Sequence, residues 1–146
     1  MANKVIFKKK NLGSGGGWHK DSIYSQFKAI LYLSDVNNKN GPFQIINNTG
    51  NIKSNFKILR ILKNNVFNTR FKNSDVIKIT KKLNLKINTL KGSAGTLILV
   101  DTSNIHRGSP IMAGKRYALT NYYYPKKMLK VYDNHFKPIL KKKILN

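Results

Sequence analysis

The feature that most restricts how this chain can fold is a series of eight short runs of β-branched and aromatic residues. Most of these runs are separated by Gly, Asn or Pro turns. No internal repeat and no Pro- or Ser-rich linker divides them. Short strands at such spacing are typical of two-layered β folds. The clearest run, 27–36, places Phe27, Ala29, Leu31 and Leu33 on one face. The predicted strands lie at 4–7, 16–21, 27–36, 43–46, 85–90, 95–101, 104–108 and 116–124.

The region 52–83 interrupts these strands with helical periodicity. Ser54 is a candidate N-cap for a first helix, and a second short helix is expected to start at Ser74. Apolar side chains at helical spacing predict core packing of the first helix, at Phe56, Leu59 and Leu62. We therefore expect a mainly β fold, a double-stranded β-helix of the jelly-roll or cupin-like kind that encloses a ligand, with a helical insert around 52–83.

Composition limits the class of protein. The 146 residues predict one β domain over 1–125, followed by a basic tail over 126–146. Cysteine is absent, which excludes disulfides and thiolate metal sites. No apolar run is long enough for a signal peptide or a membrane span, so we expect a cytoplasmic protein without a membrane partner.

The charge is strongly asymmetric, with 28 Lys and Arg against five Asp and no Glu, a net charge of +23. Such a charge attracts nucleic acid, acidic surfaces or anionic substrates. Lys, Asn and Ile are all abundant, however, and all have A/T-rich codons, so coding bias also explains many of the lysines. A compositional surface and a functional electrostatic role both remain open.

Three residues form a candidate metal-binding set. In "GGWHKDSI", His19 and Asp21 are two residues apart, and on a strand both would point to one side while Lys20 points away. A His-x-Asp pair arises by chance in about one such chain in ten. His106, after a strongly apolar strand, supplies a second imidazole. Two histidines and one carboxylate form the facial triad that binds Fe(II) and leaves open positions for oxygen chemistry.

Arg116 follows His106 by ten residues in "GKRYALTNYYYP". If this segment is a strand, Arg116 and Thr120 share a face, and a buried arginine facing a cavity needs an anion such as a carboxylate. A surface cation is the simpler interpretation for one of 28 basic residues. The spacing from His106 favours the cavity.

The motifs "GSGGGWHKDS", "FKAILYLSDV", "NGPFQII", "GTLILVDTSNIHRGSP" and "GKRYALTNYYYP" together resemble bacterial phytanoyl-CoA dioxygenase-like proteins over residues 12–125. That family consists of Fe(II)- and 2-oxoglutarate-dependent oxygenases on a double-stranded β-helix. The resemblance implies that His19, Asp21 and His106 ligate iron. It also implies that Arg116, with Thr120 in the same pocket, binds the distal carboxylate of 2-oxoglutarate.

Two further features resemble the family, and two depart from it. Trp18 and the "GPFQ" turn with Gln44 are expected near the pocket, although core packing is the alternative role for Trp18. Only 18 residues precede His19, where family members carry a longer extension that helps to form the substrate pocket. A "PGSH"-like stretch after "GPFQII" is replaced by "NNTGN".

The sequence therefore predicts a non-heme dioxygenase that uses Fe(II), O2 and 2-oxoglutarate to hydroxylate a small, anionic metabolite. Retention of Asp21 favours hydroxylation, because halogenating relatives replace that carboxylate with a small residue. Two alternatives stay open: a non-catalytic truncated relative, and a basic module that binds nucleic acid or an anionic surface. No nucleic-acid-binding motif supports the last. Uncovered strand edges leave a homo-oligomer open.

Overall fold

Two antiparallel sheets and a pair of helices make up the computed structural model, which describes residues 2–8, 10–63 and 68–123. Sheet A has the order β1-β9-β3-β7, and sheet B has the order β5-β2-β8-β4-β6. The elements are β1 (Ala2–Ile6), β2 (Trp18–His19), β3 (Phe27–Tyr32), β4 (Phe43–Ile46), α1 (Ile52–Leu62), β5 (Arg70–Phe71), α2 (Asn73–Leu83), β6 (Asn88–Leu90), β7 (Leu97–Asp101), β8 (Ile105–Gly108) and β9 (Lys115–Tyr123). The mainly β prediction is confirmed, and each of the eight predicted runs overlaps a strand.

One apolar core lies between the two sheets. Ile30 and Tyr32 of β3 and Val100 of β7 meet Phe43 and Ile45 of β4. Alternate residues of β3 point the other way, and on that outer face Phe27 is 43% exposed. The apolar face predicted from Phe27 to Leu33 is thus the outer one. Both faces of this strand carry apolar side chains, so alternation alone does not say which one is buried.

A second apolar core joins the other face of sheet B to the two helices. Trp18, Ile46 and Ile105 from the sheet pack with side chains from α1 and α2. In α1 the buried residue is Ile58, whereas Phe56 is 63% exposed. The prediction that Phe56 packs in the core is wrong, because the helix rotates by about 100° per residue and Ile58 occupies the inward side.

The helix starts differ from the sequence predictions. Asn51, not Ser54, is the N-cap of α1, since the Asn51 side chain accepts a hydrogen bond from the backbone N–H of Ser54 at 2.8 Å. Helix α2 starts at Asn73, where the Asp75 carboxylate accepts from the backbone N–H of Lys72 at 2.9 Å. An acid in the first turn also suits the helix dipole.

The predicted insert also contains an unexpected strand, β5, which pairs with β2 at the edge of sheet B. Two residues between turn signals are too few to predict from propensity. The predicted basic tail, 126–146, lies outside the described residues. Neither α1 nor α2, the helices in the described ranges, is long and apolar enough to cross a lipid bilayer.

Candidate metal centre

Two histidines face each other across neighbouring strands of sheet B. His19 in β2 and His106 in β8 are direct antiparallel partners. Directly opposed residues project to the same side of a sheet, here towards sheet A. Their ring centroids are 4.3 Å apart, and Phe43 stacks on His106 with ring centroids separated by 5.3 Å.

Backbone carbonyl groups fix the orientation of both imidazole rings. Nδ1 of His19 lies 2.9 Å from the carbonyl oxygen of Gly17, and Nδ1 of His106 lies 2.9 Å from that of Asn104. A carbonyl oxygen only accepts, so each Nδ1 carries the hydrogen and donates it. In the neutral imidazole this leaves the lone pair on Nε2, which is how proteins prepare histidine as a metal ligand.

Asp21 lies shortly after β2, and its carboxylate points back towards the two histidines. Its backbone N–H donates to the carbonyl oxygen of Thr102 at 3.0 Å, which holds the loop against sheet A. Burial on its own raises the pKa of Asp21, but the close contact with the His19 imidazole and the positive charge of Lys28 outweigh it. The pKa of Asp21 is thus held well below its usual range, and the carboxylate is ionised at neutral pH.

The three donor atoms fit a single ion. Oδ1 of Asp21 lies 3.3 Å from Nε2 of His19 and 3.6 Å from Nε2 of His106. Ligands at about 2.1 Å from a metal and at right angles to one another lie about 3 Å apart. Nε2 of His106 is buried and has no hydrogen-bond partner within the described ranges. The group formed by His19, Asp21 and His106 could therefore hold a metal ion.

His106 has the protonation state that ligation requires. Burial lowers its pKa to about 4, although the Asp21 carboxylate opposes that shift. The imidazole is consequently neutral at pH 7, and neutral imidazole is the form that binds metals.

A glycine makes room for the His19 ring. Gly15 has a φ of +85°, and a Cβ added there would lie 2.2 Å from Cε1 of His19. The backbone carbonyl of Gly15 also accepts a hydrogen bond from Arg70. The glycine run that precedes the His-x-Asp motif thus has a steric role: at position 15 a side chain would displace the first histidine.

Arg116 enters the same cavity from β9. It is 6% exposed and donates to the Gly41 carbonyl oxygen and to Oγ of Ser14, the latter at 2.8 Å. Its Nε is buried without a hydrogen-bond partner, and no carboxylate in the described ranges pairs with it. Burial lowers the pKa of Arg116, yet a guanidinium remains charged at neutral pH. A buried, unpaired guanidinium is suited to an anionic ligand.

The cavity between the sheets has a volume of about 480 Å³, a size typical of small-molecule sites. Ile30 and Phe43 give it apolar walls, and Thr120 also lines it. Lys28, Arg70 and Arg116 also line it, and Asp21 is the one acidic lining residue described. The wall is therefore net positive.

Three further side chains extend away from the cavity, although Lys20 also contributes to its lining. Trp18 is buried among the helices and sheet B, with the Arg107 guanidinium 4.3 Å from its ring, so the core-packing alternative is confirmed and a pocket role is wrong. Gln44 faces the same side and accepts from Nε of Arg107 at 2.8 Å. Lys20 turns away as predicted, and its ammonium donates to Thr49 and Asn55.

Sequence reasoning missed Lys28 and Ser14, both of which line the cavity. Lys28 lies one residue after Phe27 in a strand whose other face seemed to be the apolar one. Its alternation with Ile30 and Tyr32 was the available signal, because those large apolar residues share its face. Ser14 lies in a glycine-rich loop without a motif of its own.

No protein-family model matches the chain, and no curated protein matches it significantly.

Proposed function

We propose that this cavity is the active site of an Fe(II)- and 2-oxoglutarate-dependent oxygenase of the phytanoyl-CoA dioxygenase type, built on a double-stranded β-helix. The observation that carries the proposal is the convergence of His19, Asp21 and His106 in a cavity that also contains the unpaired Arg116. Two facing antiparallel sheets with the donors on their inner side are compatible with that fold.

The donor set fits an iron site with open coordination positions better than a structural metal site, in which protein ligands fill every position. Two imidazoles and one carboxylate supply three ligands on one side, and the open cavity lies on the other. Each imidazole presents Nε2 because its Nδ1 is held by a backbone carbonyl. An Fe(II) ion held by His19, Asp21 and His106 would supply activation of O2, with 2-oxoglutarate, decarboxylated to succinate and carbon dioxide, as a two-electron reductant.

Arg116 is the proposed site for the distal carboxylate of 2-oxoglutarate. Its planar guanidinium matches a carboxylate with two parallel hydrogen bonds. The contacts to Gly41 and Ser14 hold the guanidinium in place, so little side-chain entropy is lost when an anion binds. Thr120 projects from the same strand face and supplies a hydroxyl to the same cavity.

The substrate is proposed to be a small anionic metabolite. Asp21 is the one acidic group among the described residues of the cavity wall. Its negative charge would be offset by a bound iron ion. The positive charge in the cavity wall exceeds what one cosubstrate carboxylate would neutralise, because it comes from Lys28, Arg70 and Arg116. A cleft lined mainly by positive charges raises the local concentration of anions, which favours an anionic substrate. Ile30 and Phe43 give the reacting carbon an apolar environment.

Turnover of 2-oxoglutarate tests this proposal without knowledge of the substrate. Purified protein with Fe(II) and O2 is incubated with 2-oxoglutarate, and succinate is quantified with and without pools of anionic metabolites. We expect slow succinate release that requires Fe(II) and O2 and is abolished in His106→Ala. Iron binding without any succinate would instead indicate the non-catalytic relative. Salt-sensitive, metal-independent binding to nucleic acid would indicate the basic binding module.

A further inference from the structure

Lys28 is a charged residue in an unusual position. It lies on β3, a strand with neighbours on both sides, and its side chain points to the inner face with Ile30 and Tyr32. It is only 7% exposed. Lysine is almost never buried to this extent without a partner, because removing an ammonium group from water is costly.

Its partner is the carboxylate of the metal-binding group. Nζ of Lys28 lies 2.5 Å from Oδ2 of Asp21, while the other oxygen, Oδ1, faces both histidines. The ring of Tyr122, the cross-strand partner of Lys28 on β9, lies 4.6 Å from the same ammonium. The two carboxylate oxygens therefore have different surroundings: Oδ1 faces the two histidines, and Oδ2 forms an ion pair with Lys28 of sheet A.

We propose that Lys28 is a positioning residue for the metal ligand Asp21. It holds Oδ2, so that Asp21 presents Oδ1 alone to an ion bound by His19 and His106. This inference rests on the metal site of the proposed function. A carboxylate that binds through one oxygen occupies one coordination position, and the position that Oδ2 would otherwise take remains open for oxygen and cosubstrate.

A positioning role and a purely electrostatic role of Lys28 predict opposite changes in metal affinity when Lys28 is removed. The inference is therefore testable. An ammonium near a divalent cation repels it, so if charge were its only effect, removal of Lys28 would tighten metal binding. If Lys28 orients the ligand, its removal weakens binding by about 10- to 100-fold, as is typical for the partner that orients a ligating side chain.

The test is a Co(II) titration of metal-free protein, with Co(II) as a spectroscopic substitute for Fe(II). Quenching of Trp18, the one tryptophan of the chain, reports affinity because Trp18 precedes the ligand His19. The visible Co(II) spectrum reports coordination number. The variants are Lys28→Met, which keeps length but removes the donor, and Lys28→Arg, which keeps a cationic donor. Lys4→Met is the matched control, since Lys4 is exposed on β1 and outside the cavity lining.

We expect Lys28→Met to bind Co(II) about 10- to 100-fold more weakly with an altered visible spectrum, and Lys28→Arg and Lys4→Met to stay close to wild type. Equal or tighter binding by Lys28→Met would overturn the positioning role while leaving the metal site intact. Failure of wild-type protein to bind Co(II) would overturn the proposed function together with this inference. If Lys28→Met does not fold, the Lys28→Arg variant becomes the test. A loss of Co(II) affinity in Lys28→Arg would contradict the proposal.

Discussion

His19 and His106 are a single cross-strand pair of sheet B, with their rings 4.3 Å apart and their Nε2 atoms turned towards one carboxylate oxygen. Their spacing thus depends on strand register and not on loop conformation. A register shift by one residue would turn one imidazole to the helical side of the sheet. The backbone that determines the fold also determines the distance between the two proposed ligands.

Loss of the Asp21 carboxylate should abolish tight metal binding. Asp21→Asn keeps the shape of the side chain but removes the charge between His19 and His106, so we expect Co(II) affinity to fall by at least about 100-fold. The measurement is a fluorescence titration. Asp35→Asn is the matched control, because Asp35 is exposed and accepts from the backbone N–H of Ala94. Equal losses in both variants would contradict a ligand role for Asp21.

A methyl group at position 15 should displace the His19 ring. Gly15→Ala places a Cβ 2.2 Å from Cε1 of His19, so we expect at least about a tenfold loss of Co(II) affinity. Gly95→Ala carries the same backbone penalty, about 1–2 kcal/mol for a left-handed residue, with no atom within 4 Å of the new Cβ. Titration of both variants separates the clash from backbone strain. If both retained full affinity, the steric role of Gly15 would be wrong.

The metal-binding group was the most predictable part of this molecule. A two-residue spacing places His19 and Asp21 on one side of an extended chain, so this pair followed from local pattern. His106 was a candidate third ligand from a later strand, and its position beside His19 depends on the pairing of β2 with β8. The structure brings these three residues together. Their role as iron ligands, and that of Arg116 towards 2-oxoglutarate, stay predictions.

The surroundings of the group were less predictable for physical reasons. The alternation of Lys28 with Ile30 and Tyr32 indicates which face it shares, but nothing local indicates that Asp21, on a different element, is the partner that neutralises it. The cap at Asn51 was missed because Ser54 is an equally good capping residue and sequence does not decide between them. Strand β5 is held by pairing with β2, a contact between residues distant in sequence.

The conservative change Arg116→Lys should separate cosubstrate binding from metal binding. Lysine keeps the charge but cannot donate two parallel hydrogen bonds, so we expect the apparent 2-oxoglutarate affinity to fall about tenfold or more. Co(II) affinity should stay near the wild-type value. The same substitution at Arg107, which stacks on Trp18 outside the cavity, is the control and should change neither quantity. An unchanged 2-oxoglutarate affinity in Arg116→Lys would contradict the assigned role.

Removal of the α1 cap should lower stability by about 1 kcal/mol. Asn51→Ala deletes the oxygen that accepts from the backbone N–H of Ser54, whereas Ser54→Ala deletes no capping contact. Urea unfolding of metal-free protein measures both free energies of unfolding. A larger loss in Ser54→Ala would restore Ser54 as the cap.

The most direct test of the central claim is an anaerobic titration with Fe(II) and 2-oxoglutarate, monitored for the visible metal-to-ligand charge-transfer band. We predict a band in wild-type protein that is lost in His19→Ala and weakened in Arg116→Ala. Absence of the band in folded wild-type protein would contradict the oxygenase proposal. The net positive charge of the chain would then be the leading guide to its function.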